Sequence, residues 1–215
     1  MHTRIKVCGI TRPEDALEAA RLGADAVGLV FHEGSSRAVT VDQARAIRAQ
    51  LPPFVTATAL FLDATVQDVA AVLHRVAVDL LQFHGSETAS FCESFGRPYI
   101  KAVPMGQGAD PAGVMAAHPR AAGFLLDSHA AGGSGGTGVP FDWSTVPADR
   151  QRPLILAGGL GPENVSAAVE SVQPWAVDVS SGVESAPGVK DSERMARFMS
   201  EVQGVPSKRS PAAGH

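Results

Sequence analysis

The stretch RIKVCGITRPEDALEAARLGADAVGLVF, residues 4–31, contains a short apolar run, a turn, an Ala-rich amphipathic segment and a second apolar run. Each apolar run has the length of a strand, and the segment between them is long enough for the crossover helix that joins parallel strands. The stretch therefore predicts a strand–helix–strand unit, from which parallel α/β proteins are built.

The same alternation continues along the chain. Six further apolar runs follow, namely VTATALFL (55–62), DLLQF (79–83), PYIKAV (98–103), AAGFLLD (121–127), PLILAGG (153–159) and AVDVS (176–180). Eight strands separated by helices can close into a (β/α)8 barrel. We therefore predict an α/β fold, a TIM barrel formed by a single domain over residues 1–203, with a flexible tail over residues 204–215. A doubly wound open sheet is the alternative, because the helical pattern is weak in the fifth and sixth connections.

The composition limits the classes of partner. A formal net charge of −4 with scattered Lys and Arg leaves no basic stripe for a phosphate backbone, so we expect a small-molecule ligand and no nucleic acid. No stretch approaches the roughly 18 apolar residues of a membrane-spanning helix, so we expect no membrane contact. Two cysteines, Cys8 and Cys92, cannot form a disulfide framework, and no secretory leader precedes the first strand. These features predict a cytoplasmic protein.

In a (β/α)8 barrel the chemistry lies at the carboxyl ends of the strands. The residues at those ends include Cys8, His84, Asp127, Gly158, Gly159, Ser180 and Ser181. Because side chains alternate between the two faces of a strand, Lys6 faces the same way as Cys8, and Asp178 the same way as Ser180. The first and last strands are neighbours in a closed barrel, so we predict that Lys6 pairs with Asp178.

Two glycine-containing segments indicate a phosphate site. Gly158 and Gly159 end the seventh strand and precede a helix that we expect to start near Pro162, and Ser180-Ser181-Gly182 ends the eighth strand with room for a short extra helix. Glycine lets backbone amides approach an anion, and barrels commonly bind phosphate after strands seven and eight. Ordinary turn glycines explain either segment alone, but not both at these paired positions.

The stretch HAAGGSGGTGVPF, residues 129–141, matches two well-known patterns without their context. Gly133, Gly135 and Gly138 satisfy G-x-G-x-x-G, but Pro140 follows where a dinucleotide site requires a helix. Ser134 satisfies G-x-S-x-G, but no helix follows it to form a nucleophile elbow. The stretch is interpreted either as a lid over a ligand or as a surface loop.

Cys8 and Asp127 stand at the tops of strands one and six, on opposite sides of the predicted barrel mouth. A thiol and a carboxyl in those positions could serve as base and acid on a bound sugar. The base requires the thiolate, for which Lys6 or Arg37 could supply a nearby positive charge. Taken alone, a cysteine such as Cys8 is more often a core residue than a catalyst, and Asp127 could be an ordinary capping residue.

Seven stretches together resemble the phosphoribosylanthranilate isomerase family of tryptophan biosynthesis. They are KVCGIT (6–11), SSRAVT (35–40), LLQFHG (80–85), LLDS (125–128), GGTGVPFDW (135–143), LAGGLGPENV (156–165) and VDVSSGVESAPGVKD (177–191). The chain departs from the usual family residues at Phe83, Gly161 and Val139. None of these changes concerns the proposed acid or base, although Val139 puts a lid contact from that side chain in doubt.

The resemblance implies a (β/α)8 barrel that converts N-(5-phosphoribosyl)anthranilate to its deoxyribulose phosphate isomer by an Amadori rearrangement, without a cofactor or metal. It implies that Asp127 protonates the furanose ring oxygen and that Cys8 removes the C2 proton. It also implies that Arg37 contacts the anthranilate carboxylate, while His84 is either hydrogen-bonded near the site or structural. The predicted substrate-binding residues are Lys6, Arg37, His84, Gly158, Gly159, Asp178, Ser180, Ser181 and Gly182.

Two other functions remain to be weighed. The related histidine-pathway isomerase works with two carboxylates, so a cysteine on strand one argues against that reaction. A regulatory barrel that binds phosphoribosyl compounds without catalysis would not need both Cys8 and Asp127. For the assembly we expect a monomer, with a homodimer as the alternative.

Overall fold

The computed structural model describes residues 2–128, 141–147 and 150–206, and in these ranges eight parallel strands close into a barrel in chain order. The strands are β1 (Arg4–Val7), β2 (Ala26–Val30), β3 (Thr56–Phe61), β4 (Leu80–Phe83), β5 (Tyr99–Pro104), β6 (Gly123–Asp127), β7 (Leu154–Leu156) and β8 (Ala176–Val179). Each strand lies inside one of the predicted apolar runs, except that β5 extends one residue beyond its run, to Pro104. The predicted (β/α)8 barrel is confirmed, and the open-sheet alternative is wrong.

The helices lie between the strands and after the last one. They are α1 (Pro13–Leu22), α2 (Val41–Gln50), α3 (Val66–Arg75), α4 (Ala89–Glu93), α5 (Pro111–Ala117), α6 (Val165–Val172) and α7 (Ser192–Gly204). Capping boxes start two of them, where Thr40 and Thr65 accept hydrogen bonds from the third residue of their helices. No helix in the described ranges has the length and apolar composition needed to cross a membrane.

Alternation along the strands separates two apolar layers. Ile5 and Val7 on β1 belong to the large cluster between the barrel and its helices. A smaller cluster, which includes Ile100, Leu125 and Ile155, fills the inside of the barrel. The side chains that face inward near the carboxyl ends of the strands are polar instead, and they form the floor of the site.

Two connections can be compared in detail with the sequence expectation. In the described part of the β6–β7 connection, the helical structure is one 3₁₀ turn, Trp143–Thr145, as expected from its weak pattern. Helix α6 starts at Val165 rather than near Pro162, because the Asn164 side chain bonds to the backbone of Gly159 and Gly161 and holds the preceding segment as a turn. The lid-or-loop stretch lies outside the described residues up to Pro140.

The segment after β8 forms a 3₁₀ turn, Ser181–Val183, in the place where the sequence left room for a short helix. It runs on into an antiparallel hairpin of β9 (Glu184–Ala186) and β10 (Val189–Lys190) before α7. The hairpin was not predicted, because its strands are too short for an apolar pattern. It places Glu184 and Lys190 beside the mouth of the barrel.

Candidate active site

A pocket opens at the carboxyl ends of the strands and brings together residues from six strand ends. Its lining includes seven of the predicted site residues, namely Cys8, Arg37, His84, Asp127, Asp178, Ser180 and Ser181. Lys6, Gly158, Gly159 and Gly182 are outside the lining: Lys6 lies inside the barrel below Cys8, and the glycines lie in the loops after β7 and β8.

Cys8 follows β1 directly and is held there by its backbone, because its N–H donates to the Val179 carbonyl at 2.8 Å. The next residue, Gly9, has a φ of +72°, which turns the chain away from the barrel. A Cβ at Gly28 on β2 would lie 2.7 Å from Cys8 Sγ and 3.1 Å from Lys6 Nζ. The Cys8 thiol and the Lys6 ammonium group therefore lie side by side against Gly28, in space that a larger residue at position 28 would fill.

Lys6 and Asp178 form the predicted ion pair, with Nζ 2.9 Å from Oδ1. Both side chains are more than nine-tenths buried. Burial alone would lower the pKa of Lys6, but the charge of Asp178 and its hydrogen bond with Lys6 raise it above its ordinary value. Lys6 therefore stays protonated next to the thiol.

The Cys8 thiol is itself buried, with 6% of its surface exposed. Burial raises the pKa of Cys8 above its ordinary value, and the positive charges of Lys6 and Lys190 only partly oppose this effect. At neutral pH this group is therefore mainly the neutral thiol. Any reaction that uses Cys8 as a base must draw on the small thiolate fraction that Lys6 maintains.

Asp127 ends β6, and its side chain meets His84 from the end of β4. Asp127 Oδ2 lies 3.3 Å from His84 Nε2, and the other ring nitrogen of His84 lies 3.3 Å from Gln82 Nε2. A Cβ at Gly158, which has a φ of +82°, would lie 2.8 Å from Asp127 Oδ1. Gly158 therefore makes room for the Asp127 carboxyl, as Gly28 does for the Cys8 thiol.

Arg37 lines the pocket but does not offer its whole guanidinium group to a ligand. Its Nε and Nη2 donate to Glu184 Oε1 and Oε2 at 2.8 and 2.7 Å. Lys190 Nζ also donates to Glu184 Oε1, at 2.7 Å. The sequence reasoning missed Glu184 and Lys190, although both lie inside the quoted stretch of residues 177–191.

The two predicted phosphate segments lie against each other. Gly159 has a φ of +64°, and a Cβ at Gly182 would collide with the backbone of Leu160 and Gly161. Ser180 precedes the 3₁₀ turn, Ser181–Val183. The loops after β7 and β8 therefore form one continuous surface at the edge of the pocket.

Six lining residues were outside the predicted set: Val30, His32, Ser35, Leu60, Leu62 and Gln82. Val30, Leu60 and Gln82 belong to β2, β3 and β4. His32 and Ser35 follow β2, and Leu62 follows β3. For Gln82 the strand alternation supplied a signal, because it faces the same way as His84. Apolar lining residues such as Val30 and Leu60 have no pattern that distinguishes them from core residues.

Comparisons with known proteins agree with this geometry. Residues 5–201 match the family model described as N-(5'phosphoribosyl)anthranilate (PRA) isomerase. The chain is 56% identical over 200 residues to the N-(5'-phosphoribosyl)anthranilate isomerase of Pseudomonas aeruginosa strain UCBPP-PA14, which covers 93% of this chain and 95% of that protein.

Two solved structures are similar over most of the chain. One is a phosphoribosyl anthranilate isomerase in complex with reduced 1-(o-carboxyphenylamino)-1-deoxyribulose 5-phosphate, with a TM-score of 0.83, 38% identity, and coverage of 94% of this chain and 100% of the other. The second contains mutually generated monomers of the dimeric isomerase from Thermotoga maritima, with a TM-score of 0.83, 36% identity, and the same 94% and 100% coverage.

A closed parallel barrel with a polar pocket at the carboxyl ends of its strands defines the class, a (β/α)8-barrel enzyme that acts on a small molecule. Within that class the pocket holds the thiol of Cys8 directly after β1 and the carboxyl of Asp127 at the end of β6. The chain belongs to the N-(5'-phosphoribosyl)anthranilate isomerase family.

Proposed function

We propose that the chain converts N-(5'-phosphoribosyl)anthranilate to 1-(2-carboxyphenylamino)-1-deoxyribulose 5-phosphate in tryptophan biosynthesis, with Asp127 as general acid and Cys8 as general base. The observation that carries these roles is the meeting of Cys8 and Asp127 in one pocket at the barrel mouth. Their strands, β1 and β6, are separated by β8 and β7 on the shorter way round the barrel. A sugar bound between them has one group on each side.

The proposed reaction is an Amadori rearrangement in which no atoms are gained or lost. Asp127 donates a proton to the furanose ring oxygen, and the ring opens to a protonated Schiff base between C1 and the anthranilate nitrogen. The Cys8 thiolate then removes the proton from C2, which gives an enolamine. Tautomerisation of the enolamine yields the C2 ketone, so the reaction needs no cofactor or metal.

The remaining roles follow from position and charge. Arg37 is proposed to bind the anthranilate carboxylate, because a guanidinium edge matches a carboxylate. Gly158, Gly159, Ser180, Ser181 and Gly182 are proposed to border the phosphate, where backbone amides and the short 3₁₀ turn can face an anion. Lys6 and Asp178 support Cys8 from below.

The role of His84 has two interpretations. Its contact with the Asp127 carboxyl supports a position in the hydrogen-bonded surroundings of the acid. Its contact with Gln82 is equally consistent with a structural histidine.

The Cys8 thiol also separates this function from the histidine-pathway reaction. That reaction works with two carboxylates, whereas the group that ends β1 here is a thiol.

We further propose that the single domain of residues 1–203 carries the whole site and that the protein is cytoplasmic. Both cysteines are free and buried, which fits a reducing compartment.

For the assembly, the monomer is the first expectation and the homodimer its alternative. Phe54 precedes β3 at the amino-terminal face of the barrel and is fully exposed, and its φ of +71° is unusual for a bulky residue. It borders a concave surface that also contains Arg4 and Trp175. Together with the dimeric relative from Thermotoga maritima, this surface supports the homodimer.

The test of the proposed function uses freshly prepared N-(5'-phosphoribosyl)anthranilate and follows the loss of anthranilate-type fluorescence after subtraction of spontaneous hydrolysis. Wild type is expected to accelerate the loss, and Cys8→Ala and Asp127→Asn to reduce turnover by about 100-fold or more. Both variants should still bind a reduced product analogue. Near-normal turnover by Cys8→Ala would remove the thiol from the mechanism, and an inactive wild type that binds the analogue would leave only a phosphoribosyl-binding barrel.

A further inference from the structure

The buried carboxylate of Glu184 at the barrel mouth pairs with two cationic side chains, Arg37 and Lys190. Glu184 accepts two hydrogen bonds from the Arg37 guanidinium and one from Lys190 Nζ, at 2.7–2.8 Å. The side chains of Glu184 and Lys190 are 5% and 0% exposed, and that of Arg37 is 19% exposed. Arg37 is therefore the member of this group that reaches the pocket, and the other two lie behind it.

The contacts of Arg37 fix which part of the guanidinium group faces a ligand. Glu184 occupies the edge formed by Nε and Nη2. The edge formed by Nη1 and Nη2 stays outside this pair and has the geometry to receive a second carboxylate with two parallel hydrogen bonds. The Glu184 carboxylate thus selects one edge of Arg37 for binding.

The stem of Arg37 is held as well. A Cβ at Gly9 would collide with Arg37 Cδ, so the alkyl chain lies directly on the glycine that follows Cys8. The backbone N–H of Arg37 donates to Ser35 Oγ at 3.1 Å, which fixes the main chain from which the stem starts. Arginine has high side-chain entropy, and these contacts remove much of it before a ligand arrives.

The net charge of Arg37, Glu184 and Lys190 together is suited to binding one anionic group. Arg37 and Lys190 carry two positive charges and Glu184 one negative charge, so one positive charge remains at the pocket side. Although burial opposes it, hydrogen bonds from Arg37 and Lys190 lower the pKa of Glu184 below its ordinary value. Glu184 therefore stays ionised, and Lys190 Nζ, which also donates to the Ser180 carbonyl at 3.2 Å, fixes it to the end of β8.

We propose that Glu184, held by Lys190, is a positioning residue that presents one guanidinium edge of Arg37 to the carboxylate of the substrate and so makes the enzyme selective for substrates with an aromatic carboxylate. This inference rests on the proposed function, because it needs a substrate that carries such a group. Glu184 acts through Arg37 and does not touch the reacting atoms, whereas Lys190 holds Glu184 and its charge also lowers the pKa of Cys8.

The test measures KM and kcat for Glu184→Gln with N-(5'-phosphoribosyl)anthranilate and with the phosphoribosylaniline that lacks the carboxylate. KM for the carboxylated substrate is expected to rise by about 10-fold or more, while kcat changes by less than about 3-fold and the aniline compound is unaffected. In an Arg37→Ala background, Glu184→Gln should add no further effect, because two residues that act through one contact are not additive. Glu18→Gln is the matched control, since Glu18 holds Arg21 with two hydrogen bonds of 2.7 Å on α1, away from the pocket.

Glu184→Gln leaves Lys190 buried without its carboxylate, so a second variant, Glu184→Gln with Lys190→Met, removes both charges. This variant is compared by the ratio of KM values for the two substrates, because loss of the Lys190 charge also acts on Cys8 and therefore on kcat. Circular dichroism and thermal unfolding select the variant that keeps the fold.

The inference is overturned if KM for the two substrates rises equally, if it does not rise, or if the effect persists in the Arg37→Ala background. Calorimetric binding of reduced 1-(o-carboxyphenylamino)-1-deoxyribulose 5-phosphate gives the same comparison without turnover. An inactive wild type that binds this analogue more tightly than Glu184→Gln would refute the proposed function and leave the positioning role standing.

Discussion

Lys6 on β1 and Asp178 on β8 face each other in the strand register, and their side chains meet at 2.9 Å inside the barrel. An ion pair with both members buried is costly unless each charge is satisfied, so such a pair is weak evidence for stability alone. Here the ammonium group also lies beside the Cys8 thiol. The pair therefore keeps a positive charge next to the proposed base, where it favours the thiolate.

Replacement of Lys6 by methionine tests this relationship through the pH profile of kcat/KM. Burial raises the pKa of Cys8 and Lys6 lowers it, so loss of the lysine should raise the pKa further. The limb of the profile on which kcat/KM increases with pH should shift to higher pH by about one unit or more. Activity at pH 7 should therefore fall about 10-fold or more.

Lys6→Arg keeps the charge and should recover part of the activity at pH 7. Asp178→Asn in the Lys6→Met background removes the carboxylate that would be left without its partner. If the profiles of wild type and Lys6→Met coincide, Lys6 has no influence on the ionisation of Cys8 in the reaction.

Gly28→Ala tests whether the thiol needs the space that glycine leaves. The added methyl group would lie 2.7 Å from Cys8 Sγ, 3.1 Å from Cys8 Cα and 3.1 Å from Lys6 Nζ, so the thiol or the lysine must move. We expect kcat to fall at least about 10-fold, and overpacking of this kind costs about 1–3 kcal/mol in the free energy of unfolding. Gly204→Ala is the control, because a Cβ there meets nothing within 4 Å. Equal kcat for Gly28→Ala and wild type would mean that the position of the thiol tolerates displacement.

The Lys6–Asp178 pair was predictable from the sequence because it depends on two simple rules, strand alternation and barrel closure. The eight strands were predictable for a similar reason, since each is a local apolar run. These features are encoded over a few residues, and the closed topology then fixes which residues meet.

The Arg37–Glu184 pair was not predictable in the same way. The two residues are 147 positions apart, and they meet only because the β9–β10 hairpin folds over the end of β8. The hairpin has two- and three-residue strands that carry no period. The spaces at Gly28 and Gly158 were likewise hidden, because a missing Cβ matters only when the neighbouring strand brings a side chain against it.

The assembly can be decided with Phe54→Ser. If the homodimer forms through the amino-terminal face, wild type should sediment with twice the monomer mass, and Phe54→Ser should sediment as a monomer at the same concentration. Loss of a large buried aromatic side chain from an interface commonly costs 2 kcal/mol or more, about a 30-fold change in dissociation constant. Leu17→Ser is the control, because Leu17 is 51% exposed on α1, away from that face. A wild-type protein that sediments as a monomer would contradict the homodimer and support the monomer.

The acid sensitivity of the fold should depend on His118. Burial lowers the pKa of His118 to about 4, while in the unfolded chain the ordinary value is about 6.5. Between these two pH values the unfolded chain takes up a proton that the folded chain does not, so the free energy of unfolding falls as the pH falls. The stability lost through this one group is at most about 3–4 kcal/mol, and the loss is complete near pH 4.

His118→Phe removes the titration and keeps a ring against Tyr99, which contacts the His118 ring edge-on at 6.1 Å between centroids. Urea unfolding at pH 7 and at pH 4.5 should show a smaller loss of stability for His118→Phe than for wild type, whatever the absolute stability of the variant. His74→Gln, which changes an exposed histidine on α3, should lose as much stability as wild type. Identical losses in His118→Phe and wild type would mean that groups other than His118 account for the acid sensitivity.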